Sequence, residues 1–86
     1  MITISDIQEI VNEINYKKIV KPTVKNNSFI GEELGIDSLD TQTFWLSLMF
    51  LMDKKNMKEV SDEYLEKFDY SATTIEKLLK DINHEN

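Results

Sequence analysis

A chain of 86 residues with a formal charge of −6 suffices for one domain and leaves little room for a deep catalytic cleft beside its core. It contains no Cys, which excludes disulfide staples and thiolate metal sites, so the fold must rest on apolar packing and any thiol chemistry must be imported. An acidic balance also disfavours nucleic acid as a partner, because the phosphate backbone is repelled.

In chain order, Ser5-Asp6-Ile7-Gln8 reads as a capping box, and Ile7, Ile10, Val11 and Ile14 recur at helical spacing, which predicts a first helix over about 5–18. Residues 15–27 carry +4 through Lys17, Lys18, Lys21 and Lys25, a patch that reads as a solvated face. Pro22, both glycines and Asn26-Asn27 then mark a long connection over 21–37. Phe29, Ile30, Leu34 and Ile36 within it are apolar, so it should be pinned across the core.

Ser38 reads as the N-cap of a second helix reaching Lys54 or Lys55, with Asp40 in its first turn. Ser61-Asp62-Glu63 opens a short third helix through Tyr64, Leu65 and Phe68. Thr73-Thr74-Ile75-Glu76 reads as a further capping box, and Ile75, Leu78, Leu79 and Ile82 form the apolar stripe of a fourth helix. The expectation is one all-α domain over 1–86, a small four-helix bundle with a long loop between helices 1 and 2 and a short helix 3. No basic segment followed by an apolar run stands at the amino terminus, so a cytoplasmic protein is expected.

Leu34-Gly35-Ile36-Asp37-Ser38-Leu39-Asp40 sets an acid-flanked serine at a loop-to-helix junction. Unpaired N–H groups and the positive pole of a helix favour anionic groups there by roughly 0.3–1 kcal/mol, which makes Ser38 a candidate attachment point for a phosphate-bearing group. At these residues the chain resembles the acyl carrier protein family, whose Asp-Ser-Leu signature marks the serine that carries 4′-phosphopantetheine. The likeness extends through Ser28-Phe29-Ile30 and Glu32-Glu33-Leu34-Gly35 and resumes at Val60-Ser61-Asp62-Glu63 and Thr73-Thr74-Ile75.

The resemblance implies an acyl-carrier-like bundle that is not itself an enzyme. A phosphopantetheinyl transferase would move the arm from coenzyme A to Ser38 in a magnesium-dependent reaction. Asp37 would position that serine, Leu39 would anchor the first helical turn into the bundle, and Asp40 would meet basic residues on partners. The further partners implied are an acyl-loading ligase or transferase and the downstream synthases of a fatty acid or polyketide-type pathway. Competing chemistry is poorly supplied. The only histidine, His84, stands in a polar tail away from any nucleophile; Asp53-Lys54-Lys55-Asn56-Met57 has Lys and Met where a calcium loop needs oxygen ligands. Glu32, Glu33 and Asp37 read as a solvated acidic loop, so no metal site is expected.

The second helix departs from the family. After Asp40 no acid follows until Asp53, and Phe44, Trp45, Leu46, Leu48, Met49, Phe50, Leu51 and Met52 fill eight of nine consecutive positions. One helical face cannot bury them all, and each large apolar side chain left in water forfeits about 1.5–3 kcal/mol. The resolutions are a docking surface formed by Asp40, Phe44, Trp45, Met49 and Phe50, a homodimer through helix 2, an acyl pocket, or cover from Tyr64, Phe68 and Tyr70 in an enlarged third region. Membrane insertion is not expected. Two other readings stay open, a carrier-like interaction module without the arm and an aminoacyl or peptidyl carrier.

Overall fold

Thr3 has extended backbone and its hydroxyl accepts the Asp6 N–H at 3.2 Å, while the Asp6 carboxylate accepts the Thr3 N–H at 2.9 Å. This reciprocal cap opens α1 (Ile4–Ile14) in a computed structural model that describes residues 1–84. The capping box expected at Ser5–Gln8 is therefore displaced. Gln8 cannot serve as its closing residue because its amide is committed to the loop, donating to the Pro22 carbonyl and accepting from the Val24 N–H, both at 2.8 Å. The helix also stops four residues before the expected 18. Asn15 is buried, and its amide donates to the carbonyls of Val11 at 2.8 Å and Leu34 at 2.9 Å, tying the last turn to the loop.

Lys55 reaches Asp6 at 2.8 Å and clamps the start of α1 to the far end of the second helix. Partial burial alone would push the Asp6 carboxyl up, but hydrogen bonds from Lys55 and Thr3, with the Lys55 charge, hold it below the usual carboxylate value. A carboxylate depressed on folding adds stability above its unfolded pKa, and this is lost as pH falls through the folded one. Asp6→Asn is expected to cost about 1 kcal/mol near neutral pH and progressively less below about pH 4, which urea titrations across that range would read.

The second helix, α2 (Asp40–Lys54), buries Phe44, Trp45, Leu48 and Met52 and ends with Asn56 in the left-handed region at φ 57°. The N–H groups of Asn56 and Met57 return to the carbonyls of Asp53 at 3.0 Å and Met52 at 2.8 Å, which satisfies the helix end. The short α3 (Asp62–Lys67) is capped by Ser61, whose hydroxyl accepts the Tyr64 N–H at 3.1 Å. In α4 (Ile75–His84) the cap is Thr74 rather than Thr73, accepting the Lys77 N–H at 3.2 Å, and Ile75, Leu78 and Ile82 are buried. Asn83 clasps Ile2 through two hydrogen bonds at 2.9 Å and closes the chain's start onto α4.

The crowding on α2 is relieved mainly from within. Trp45 packs edge-on against Phe68 at 5.0 Å, Phe68 against Tyr70 at 4.7 Å, and the indole N–H donates to the Tyr70 hydroxyl at 2.8 Å. Phe44 and Trp45 are thus core residues, which corrects their expected place on a docking surface. Burying an indole requires a partner for its N–H. Tyr70→Phe is expected to cost about 1 kcal/mol and to shift the tryptophan emission, as chemical unfolding followed by fluorescence would show.

The long connection crosses the core as expected, with Ile30, Leu34 and Ile36 at most 3 % exposed and a single 3₁₀ turn at Glu32–Leu34. Its first half is stitched to α4, where the Ile75 N–H donates to the Ser28 carbonyl at 2.8 Å and the Glu76 N–H to that of Asn26 at 3.0 Å. Gly35 has φ 67°, and a Cβ there would stand 2.0 Å from Asn15 Oδ1. Among the described residues an isolated bridge between Phe29 and Thr74 is all the β structure, and no helix is long and apolar enough to cross a membrane.

Candidate functional site

Ile36, buried at 1 % exposure, fixes the point where the loop leaves the core, and the next three residues emerge into solvent. The Asp37 carboxylate turns back over the start of α2, where one oxygen accepts the N–H groups of Leu39 and Asp40, each at 2.9 Å. The Asp40 carboxylate returns the contact at 3.3 Å to the Asp37 N–H. The two acids therefore form the reciprocal cap that the sequence assigned to Ser38, and Asp37 is the better group for it because a carboxylate near a helix start is favoured by the dipole.

Ser38 is left exposed, and its side chain makes no hydrogen bond among the described residues. Its carbonyl accepts the Thr41 hydroxyl at 2.9 Å, so the turn is held from the main chain while the Ser38 hydroxyl stays free. Leu39 is 85 % exposed and does not anchor the first turn into the bundle; Ile36 and Phe44, both at most 1 % exposed, do so from either side. Asp40 and Met49 are half-buried and Phe50 is 63 % exposed.

The chemistry available here is that of a solvent-facing hydroxyl on a rigid turn between two carboxylates. The Asp37 carboxylate already takes the N–H groups of Leu39 and Asp40, so the helix start is not a ready phosphate cradle. An exposed hydroxyl of this kind is open to a covalent substituent, and a phosphate-bearing group there would depend on its bond to Ser38 Oγ rather than on backbone N–H groups. The Phe29 N–H donates to the Glu33 carboxylate, which ties that acid to the loop. No group of acids or histidines among the described residues is arranged to hold a metal ion.

A groove of about 910 Å³ runs between the end of α2, the 58–61 connection, α3 and α4, lined by Met52, Val60, Tyr64, Asp81 and His84 among others. Burial first, then the hydrogen bond to Asp81 at 2.9 Å and that residue's charge, push the Tyr64 hydroxyl pKa up. Met52 lies fourteen residues beyond Ser38, about 21 Å along the helix, so the groove and His84 stand at the other end of α2 from the free hydroxyl. Ser38 and His84 are not brought together.

Sequence reading missed Asn15 and its contact with Gly35. A signal was present, since Asn15 follows Val11 by four residues and so falls on the buried face of α1. Comparison with family models, curated proteins and solved structures finds no match to the chain.

Proposed function

We propose that the chain is a non-catalytic acyl carrier in which Ser38 bears 4′-phosphopantetheine. The observation that carries this reading is the free, exposed Ser38 hydroxyl between Asp37 and Leu39, at the junction of a core-pinned loop with a buried helix. Ser38 Oγ forms the new bond to phosphorus as the pyrophosphate of coenzyme A breaks, adenosine bisphosphate leaves with the bonding pair, and the hydroxyl proton passes to the transferase's base. The arm supplies a thiol that holds an acyl group as a thioester.

What this chain adds is placement. Asp37 fixes the turn through the Leu39 and Asp40 N–H groups, Gly35 and Asn15 lock the loop behind it, and the bundle presents one address to successive enzymes. A tethered acyl group reaches each docked enzyme at high effective concentration. Incubation with coenzyme A, magnesium and a permissive transferase, read by intact mass, tests the proposal. One arm per chain is expected, and an unmodified protein beside a fully modified control carrier would refute it.

A further inference from the structure

Three large apolar side chains remain in water on one side of α2 and the turn before it. Leu39, Leu46 and Phe50 are 85, 60 and 63 % exposed, and their spacings of seven and four residues place them in one stripe, with Thr43 between. Nothing ionisable interrupts the run from Asp40 to Asp53. An acid, Asp40, stands at one end and a base, Lys54, at the other, and neither forms an ion pair among the described residues. The Lys54 ammonium instead lies 4.8 Å from the centre of the Phe50 ring, extending the apolar stripe to its basic end.

The flank that carries Asp40 and Lys54 is its own complement when reversed, while Asp53, thirteen residues after Asp40, falls on the other flank. Asp40 and Lys54 are fourteen residues apart, about four turns, so they lie on the same flank of the stripe, and an antiparallel pair brings equal flanks together. A two-fold axis between Leu46 and Ser47 sets Phe50 against the second copy's Thr43. The same axis sets Lys54 beside the second copy's Leu39-Asp40 turn. We propose that α2 is the interface of an antiparallel homodimer of this chain, held by Leu39, Leu46 and Phe50 and put in register by Asp40 and Lys54. The dimer does not depend on modification of Ser38. Sedimentation reads it whether or not an arm is attached, so the two proposals stand or fall separately.

Sedimentation equilibrium of the full chain at low and moderate salt is the test. The wild type is expected to dimerise reversibly in the micromolar range, and Phe50→Glu, at an exposed position that leaves helicity intact, to remain monomeric. Asp40→Lys and Lys54→Glu should each raise the dissociation constant by about tenfold, because the two-fold axis repeats every contact, and the double exchange should recover most of that loss. A wild type that stays monomeric up to millimolar concentration would overturn the proposal. So would a dimer indifferent to Phe50→Glu, or a double exchange no tighter than the single ones.

Discussion

Ser38→Ala is expected to lose the entire mass gain on incubation with coenzyme A and a transferase, while its unfolding free energy stays within about 0.5 kcal/mol of the wild type. Both halves follow from the turn's construction. On the proposed reading the Ser38 hydroxyl takes the arm, and it closes no hydrogen bond among the described residues, since Asp37 caps α2 in its place. Had Ser38 been the cap, the same substitution would cost about 1 kcal/mol. Asp37→Asn separates the roles further, keeping an oxygen for the Leu39 and Asp40 N–H groups while removing the charge beside the hydroxyl.

Gly35→Ala is expected to be the most damaging small substitution in the chain, at about 3 kcal/mol or more, which lowers the melting temperature of a domain this size by about 12 °C or more. Two costs combine. A φ of 67° is strained by about 1–2 kcal/mol for a residue with a Cβ. That Cβ would also stand 2.0 Å from Asn15 Oδ1, displacing a buried amide that bonds the Val11 and Leu34 carbonyls. Thermal unfolding followed by circular dichroism would measure the loss. Combining Gly35→Ala with Asn15→Ala should cost less than the two singles summed, because the clash disappears and the glycine substitution then adds only its backbone strain to the lost Asn15 hydrogen bonds.

The four helices were legible because their evidence is local. Apolar spacing in Ile7–Val11 and Ile75–Ile82, and capping residues within four positions of each start, need no knowledge of the rest of the chain. Their ends were less so, since long-range demands decide them. Gln8 is drawn to Pro22 and Val24, and Asn15 to Leu34, so α1 both begins and ends earlier than its own pattern suggests. The excess of apolar residues on α2 was visible, but which of them face inward depended on where the ring of Phe68 and the hydroxyl of Tyr70 come to rest.

At the candidate site, the sequence located the exposed serine and placed Asp40 in the first turn of α2, but it gave the cap to Ser38 and buried Leu39. Ser38, Asp37 and Asp40 all have capping side chains, and only the geometry of the turn decides which carboxylate reaches the free N–H groups. Leu39 reads as a core residue by type, yet the chain leaves the core at Ile36 and does not re-enter it until Phe44.

The most direct measurement is the intact mass of this chain purified from its own source, followed by fragmentation of the peptide that contains Ser38. A phosphopantetheine arm on that residue, free or bearing an acyl thioester, is the predicted result. A chain recovered wholly unmodified, or carrying the arm on any other residue, would contradict the account.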